Sequence, residues 1–118
     1  MHYLFAGFSL DTDRRELRHG DGLLRLEPKA FDLLAYLIAN RERVVSKDDL
    51  LAAVWNGRII SESSLTTCVN AVRKAIDDNG KAQRLIKTLQ RKGFRFVADV
   101  REERNSRYAG VREISLDA

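Results

Sequence analysis

The side chains that could take part in specific chemistry cluster in two segments of the sequence, residues 63–76 and residues 88–95. In the first segment, small polar side chains recur at the spacing of one helical face. Thr, Asn and Ala side chains can contact the edges of nucleic-acid bases, and Arg or Lys can bind a phosphate or a guanine. The polar face predicted in this way consists of Ser63, Thr67, Asn70, Ala71 and Lys74, with Thr66 and Arg73 on one flank.

The second segment is a short turn that carries consecutive basic residues. Gln90, Arg91 and Lys92 precede Gly93 between two strand-like runs, and Arg95 follows shortly after. Turn residues are commonly polar, so this feature is weak evidence by itself. A narrow minor groove of DNA, however, concentrates negative potential and attracts an inserted Arg or Lys. Helix and turn together therefore favour a nucleic-acid interface more strongly than either does alone.

The distribution of charge supports the same interpretation but leaves an alternative open. The formal net charge is only +4, yet residues 63–99 carry eight basic and three acidic residues. A concentrated basic surface attracts a polyanion, but a solvated surface can also be basic without a partner. Residues 64–76 contain no acidic residue at all. A merely solvated amphipathic helix more often mixes Glu and Lys, so the acid-free face favours nucleic acid.

The elements that must position these residues can be predicted from apolar periodicity. Leu65, Val69, Val72 and Ile76 recur at helical spacing and predict a helix over residues 64–77, started by the segment Ser61 to Ser64. Two earlier helices begin at Pro28 and after Ser46, where Asp49 would complete a capping box. Short strands are predicted at residues 3–5, 8–10, 16–18 and 23–26, and a hairpin at residues 85–89 and 94–97.

Length and composition limit the class of protein. A chain of 118 residues with 44% hydrophobic residues can form one domain, predicted here as residues 1–100, followed by a linker or the start of a further region at 101–118. A single cysteine cannot form an internal disulfide. No apolar run approaches the roughly 20 residues that span a bilayer, and the first residues do not resemble a signal peptide. We therefore expect a soluble, cytoplasmic domain.

Enzymatic chemistry finds little support in the sequence. His2 and His19 are far from Cys68 in the chain, and no Ser/His/Asp set, phosphate-binding glycine loop or metal-ligand spacing is present. A half-buried cysteine and structural or solvent-exposed histidines explain these residues more simply. We predict that the protein is not an enzyme and binds no cofactor or metal.

Four blocks of the sequence are informative together: LEPKAFDLL at residues 26–34, VVSKDDL at 44–50 through Trp55, VNAVRKAI at 69–76, and Ile86-Lys87-Thr88 with Gly93 to Phe96. Through these blocks the chain shows a resemblance, over residues 3–100, to the OmpR/PhoB-type winged-helix transcriptional regulators. It implies an α+β fold, a winged helix-turn-helix with an N-terminal four-stranded antiparallel sheet, a three-helix core and a C-terminal β-hairpin wing. It also implies that the helix at 64–77 enters the major groove of DNA while the wing at 84–98 approaches the adjacent minor groove.

The resemblance also implies roles for individual residues. Thr67, Cys68 and Ala71 match positions that often contact bases in the family, and Arg73 and Lys74 match phosphate-facing or groove-facing positions. The full predicted interface is Ser63, Ser64, Thr66, Thr67, Cys68, Asn70, Ala71, Arg73 and Lys74 on the helix, and Thr88, Gln90, Arg91, Lys92 and Arg95 on the wing. Many family members carry Arg or His where this helix has Cys68, Asn70 and Ala71, so the target sequence does not transfer from them.

Two further expectations concern partners, and a third concerns the order of domains. The loop from Asn56 to Glu62 resembles the family's polymerase-contacting loop, with Arg58, Ile59 and Ile60 as candidates for contact with RNA polymerase. The alternative is that Ile59 or Ile60 packs into the core. Two copies are expected on adjacent half-sites. Because the domain begins almost at Met1, the chain looks like the subgroup with an N-terminal DNA-binding domain, and control by phosphorylation is not supported.

The function predicted is sequence-specific binding of double-stranded DNA for transcriptional regulation. Two alternatives remain at this stage. One is a winged-helix protein-interaction module without specific DNA binding, which should carry acidic or apolar residues on the helix face and wing. The other is binding of double-stranded RNA, which usually needs a different layout of elements.

Overall fold

The computed structural model describes residues 1–103, which form three helices and seven strands in two units. One unit comprises residues 1–24 and 99–103, and the other comprises residues 25–98. In chain order the elements are β1 (His2–Phe5), β2 (Phe8–Asp11), β3 (Glu16–His19), β4 (Gly22–Leu24), α1 (Pro28–Ala39), α2 (Lys47–Val54), α3 (Glu62–Ala75), β5 (Ile86–Leu89), β6 (Gly93–Phe96) and β7 (Arg101–Glu103). Within residues 1–103, no helix is long and apolar enough to cross a bilayer.

The first unit is an antiparallel sheet with the strand order β4-β3-β2-β1-β7. The four strands predicted near the N-terminus are confirmed to within two residues. The sheet has one strand more, because β7 pairs with β1, with Leu4 opposite Arg101 and His2 opposite Glu103. The predicted boundary at residue 100 is therefore wrong for residues 101–103, although 104–118 lie outside the described residues. All three residues of β7 are exposed, so pairing rests on main-chain hydrogen bonds and leaves no apolar alternation in the sequence.

The second unit contains the helices, and their ends follow from local chemistry. Pro28 occupies the first turn of α1, where its missing N–H removes no helical hydrogen bond. Ser46 caps α2, and its side chain and that of Asp49 form the predicted capping box. Helix α1 packs against α2, α3 and β6, and its core side chains are fully or nearly fully buried: Phe31, Leu33, Leu34, Leu37 and Ile38.

Helix α3 begins two residues earlier than predicted because Ser61 is its N-cap. The Ser61 Oγ accepts a hydrogen bond from the Ser64 backbone N–H at 3.1 Å, so Ser64 lies in the first turn. Leu65, Val69 and Val72 are buried, as the periodicity predicts. The helix ends at Ala75.

The hairpin of β5 and β6 is closed by a three-residue turn and joined to the segment before α2. Leu89 pairs with Gly93, and Arg91 in the turn has a positive φ of 63°. Val45 exchanges two main-chain hydrogen bonds with Phe94, at 2.7 and 2.9 Å. Val45 therefore forms a β-bridge that joins the hairpin to the start of α2, and at Gly93 the two backbones approach too closely to leave room for a Cβ.

Candidate nucleic-acid interface

Helix α3 presents an uninterrupted polar side to solvent. Leu65, Val69 and Val72 are buried on one side of the helix. The residues of the opposite side, named here the α3 polar face, are all exposed: Ser63, Thr67, Asn70, Ala71 and Lys74. Amphipathic spacing decides this arrangement, because positions three and four apart share one side of a helix. The face is therefore accessible along its whole length, as predicted.

A groove of about 490 Å³ lies between α3, the start of α2 and the hairpin turn. Thr66 and Asn70 line it from α3, and Gln90, Arg91 and Lys92 line it from the turn. This α3–hairpin groove is open to solvent and is bounded by Ser46, Lys47 and Asp48 at the start of α2. One edge of the α3 polar face and the basic turn thus lie on a single concave surface.

The basic side chains around the groove differ in whether they already form an ion pair within the described part of the chain. The Lys47 Nζ lies 2.9 Å from the Glu62 Oε1, so this cation already has an anionic partner. Arg91 and Lys92 are exposed at the turn, and within residues 1–103 no acidic side chain forms an ion pair with either. The hairpin turn therefore supplies the available positive charge at this groove, and exposed Lys74 supplies it on the α3 polar face.

Arg73 lies in a different environment from the one predicted. It is only 5% exposed, and its Nη2 donates hydrogen bonds to the Ile86 carbonyl oxygen at 2.9 Å and the Thr88 Oγ1 at 2.8 Å. Burial lowers the pKa of the guanidinium, and the nearby Asp78 carboxylate counteracts this effect. The prediction that Arg73 faces phosphate or a groove of DNA is therefore corrected. Its position next to Val72 turns it toward β5, where it ties the helix to the hairpin.

Asp78 is a positioning residue that no pattern in the sequence indicated. It is 7% exposed, and its Oδ1 accepts from the Arg84 N–H at 2.8 Å. Its Oδ2 accepts from the N–H groups of Leu85 and Ile86 at 3.0 and 3.1 Å. Burial opposes ionisation, but these backbone hydrogen bonds outweigh it and hold the pKa of Asp78 below its usual value. No local pattern distinguishes Asp78 from its exposed neighbour Asp77.

Arg95 lies on the other side of the hairpin from the groove. It is paired across the strands with Lys87, and its Nε donates to the Arg41 carbonyl oxygen at 3.0 Å. Thr88, one position along the strand, faces Arg73 instead. Because side chains alternate along a strand, Arg95 and Lys87 point away from the side that bears Thr88. The structure does not bring Arg95 together with Arg91 and Lys92 at the groove.

The remaining predicted residues lie on the flank of α3 and in or beside the loop between α2 and α3. Cys68 is half-buried on the flank of α3, where burial, and secondarily the charge of Glu27, raise the pKa of its thiol. In the loop between α2 and α3, Ile59 is 94% exposed and Ile60 is half-buried. The alternative in which Ile59 packs into the core is therefore excluded. Asn56, Arg58 and Glu62 are exposed in or beside this loop.

The two histidines belong to the sheet unit and form ordinary structural contacts. The His2 Nε2 lies 2.6 Å from the Ser9 Oγ, and the His19 ring stacks on Phe8 with a centroid separation of 4.4 Å. In the part of the chain that the structure describes, no group of three or more His, Cys, Asp or Glu residues could hold a metal ion.

The sequence is similar to those of transcriptional regulatory proteins. The sequence model of the family described as "Transcriptional regulatory protein, C terminal" matches residues 21–96. The chain is 34% identical over 94 residues to the transcriptional regulator HilA of Salmonella typhi, covering 80% of this chain and 17% of HilA. It is 31% identical over 93 residues to the phosphate regulon transcriptional regulatory protein PhoB of Klebsiella pneumoniae, covering 78% of this chain and 40% of PhoB. The chain thus spans less than half of either relative.

A solved structure shows the same fold. The DNA-binding domain of Klebsiella pneumoniae RstA, determined in complex with the RstA box, superposes with a TM-score of 0.71. The two sequences are 25% identical, and the match covers 80% of this chain and 95% of the RstA chain. The chain therefore has the fold of a DNA-binding domain of known structure.

Proposed function

Because the chain belongs to the OmpR/PhoB-type family of winged-helix DNA-binding domains of transcriptional regulators, we propose that α3 lies in the major groove of its operator and that the hairpin turn reaches the adjacent minor groove. In this arrangement the hairpin of β5 and β6 is the wing. Sequence-specific binding of double-stranded DNA for transcriptional regulation is the function of the domain.

The observation that carries this proposal is the α3–hairpin groove. Thr66 and Asn70 on one wall and Arg91 and Lys92 on the other belong to one concave surface. A sugar-phosphate strand separates the major groove of a duplex from its minor groove. A groove that accepts this strand would hold α3 on one side of it and the wing on the other. The positive charge of the turn would then lie against phosphates and the minor groove.

The proposed roles of the side chains follow from their exposure and chemistry. Thr67, Asn70 and Ala71 would contact base edges, and Lys74 would bind a phosphate or a base edge at the end of α3. Arg91 and Lys92 would bind phosphate or enter the minor groove. The remaining exposed polar residues, Ser63, Ser64, Thr66 and Gln90, would hydrogen-bond to the DNA backbone. Arg73 and Thr88 would hold the wing against α3, and contact of half-buried Cys68 with DNA stays a prediction.

Two macromolecular partners are proposed in addition to DNA. The exposure of Ile59, beside exposed Arg58, leaves the α2–α3 loop accessible for the contact with RNA polymerase that the family resemblance implies. A second copy on an adjacent half-site is proposed because a single α3 can read only a few base pairs. Both contacts would take place on chromosomal DNA in the cytoplasm.

Mobility-shift titration with a pool of DNA duplexes and with a pool of RNA duplexes of the same sequences tests the proposed function. The major groove of A-form RNA is too deep and narrow to admit α3, so we expect a pool of DNA duplexes to bind at least about tenfold more tightly than the RNA pool. Equal binding of the two pools, or tighter binding of RNA, would reject the major-groove proposal. Binding of neither would leave the protein-interaction alternative.

A further inference from the structure

The α3 polar face offers no arginine for reading guanine. Arg73 is the single arginine of α3, and its Nη2 is occupied by the Ile86 carbonyl oxygen and the Thr88 Oγ1 inside the protein. The commonest contact to guanine is a bidentate pair from Arg or Lys to the O6 and N7 atoms. Lys74 remains as a cation, but it lies in the last turn of the helix. The middle of the face therefore lacks the side chain that most often selects guanine.

Readout of cytosine is also poorly supported. The N4 amino group of cytosine is recognised by the carboxylate of Glu or Asp. Glu62 is the single acidic residue of α3, it lies in the first turn, and its Oε1 accepts from the Lys47 Nζ at 2.9 Å. Neither base of a G·C pair thus has a matching side chain at the middle of the α3 polar face.

The three side chains that do occupy the middle of the face match adenine and thymine. Asn70 is exposed and, within residues 1–103, its side-chain amide has no hydrogen-bond partner in the protein, so it can bind the N6 and N7 atoms of adenine together. Thr67 and Ala71 lie three residues before and one residue after Asn70 and are also exposed. Their methyl groups can pack against the C5-methyl group of thymine.

The wing favours the same kind of DNA. Arg91 lies in the turn, is exposed and lines the α3–hairpin groove. Runs of A·T pairs narrow the minor groove and strengthen its negative potential, which favours an inserted arginine. The wing and the middle of α3 therefore both favour DNA that is rich in A·T pairs.

We propose that the operator half-site is selected for A·T pairs at the base pairs facing the middle of α3, with an adenine read by Asn70 and thymine methyl groups packed against Thr67 and Ala71. This inference rests on the proposed function, because it requires α3 to lie in the major groove. The preference for A·T pairs follows from the exposed side chains of Thr67, Asn70 and Ala71. It follows equally from Arg73, whose Nη2 is hydrogen-bonded inside the protein.

The experiment begins with selection of binding sites from random duplexes by the 118-residue chain, followed by atom-level changes in the selected site. At each adenine of the half-site, 7-deazaadenine removes the N7 acceptor without changing base pairing. We expect this change at one adenine to weaken binding by about tenfold for the wild type and to leave the Asn70→Ala variant unaffected. Replacing thymine by uracil removes only the methyl group, and we expect Thr67→Ser to be less sensitive to it than the wild type.

The outcomes separate the two proposals. Selection of a site with G·C pairs facing the middle of α3 would overturn this inference and leave the proposed function intact. Equal loss of affinity on 7-deazaadenine substitution in wild type and Asn70→Ala would also overturn it. Failure of the chain to enrich any sequence would contradict the proposed function, and this inference with it. Enrichment of an A·T-rich half-site with the expected dependence on Asn70 supports both.

Discussion

Replacing Gly93 with alanine will destabilise the helical unit by roughly 3–5 kcal/mol, through backbone strain and the loss of two hydrogen bonds. A Cβ at this position would lie 2.0 Å from the Val45 carbonyl oxygen and 2.9 Å from the Ser46 Cα. Both are backbone atoms that cannot rotate away, and the Gly93 φ of 136° is strained for any other residue. The hydrogen bonds between Val45 and Phe94 would have to lengthen or break. Urea denaturation followed by circular dichroism measures this change.

Gly80→Ala is the matched control for this prediction. A Cβ at Gly80 would meet only the end of the Arg73 side chain, at the ordinary contact distance of 3.6 Å. We therefore expect a change of less than about 1 kcal/mol in the free energy of unfolding. If Gly93→Ala and Gly80→Ala unfold at the same urea concentration, the close approach of the wing to the start of α2 is not a source of stability.

Asp78→Asn will lower the free energy of unfolding at neutral pH by roughly 3 kcal/mol. The carboxylate accepts hydrogen bonds from three backbone N–H groups at the start of β5, whereas an amide brings one acceptor and a donor that opposes them. The pKa of Asp78 is lowered in the folded protein, against about 3.9 in an unfolded chain. The wild type therefore keeps this stabilisation above about pH 4 and loses it as the pH falls through the folded-state pKa.

Denaturation of both proteins across the acidic range measures this prediction. The difference between wild type and Asp78→Asn should shrink as the pH falls below about 4. Asp77→Asn is the matched control, since the Asp77 side chain is 93% exposed and its nearest cationic atom, the Arg84 Nη2, is 3.9 Å away. We expect it to change stability by less than about 0.5 kcal/mol. If the difference in stability between wild type and Asp78→Asn is independent of pH, the negative charge of Asp78 does not strengthen its hydrogen bonds to the start of β5.

Local patterns were enough to predict the helices and the exposed face. The spacing of Leu65, Val69 and Val72 determined which side of α3 is buried, and the Ser46–Asp49 capping box determined where α2 begins. These features depend on residues within one or two turns of each other, so the sequence alone contains the information. The hairpin could be predicted for the same reason, because a turn with Gly93 separates two strand-like runs.

Features that depend on distant parts of the chain could not be predicted in this way. Arg73 has the residue type and neighbours of a DNA-binding side chain, and only the position of β5 shows that its guanidinium is used internally. The pairing of Val45 with Phe94 joins residues 49 positions apart without any sequence motif. Strand β7 likewise pairs through main-chain atoms and carries three charged residues. Long-range hydrogen bonds leave no periodic signal in the sequence.

In the proposed complex the wing and α3 contact the same duplex, and the salt dependence of DNA affinity measures this contact directly. Affinity falls with salt by about 0.9 log units per log unit of salt for each phosphate contact. Arg91 lines the α3–hairpin groove, whereas Lys87 lies on the other side of the same hairpin. We predict that Arg91→Ala lowers this slope by about one and that Lys87→Ala leaves it unchanged. An unchanged slope in Arg91→Ala, or an equal decrease in both variants, would show that the hairpin turn does not contact phosphates from the α3–hairpin groove.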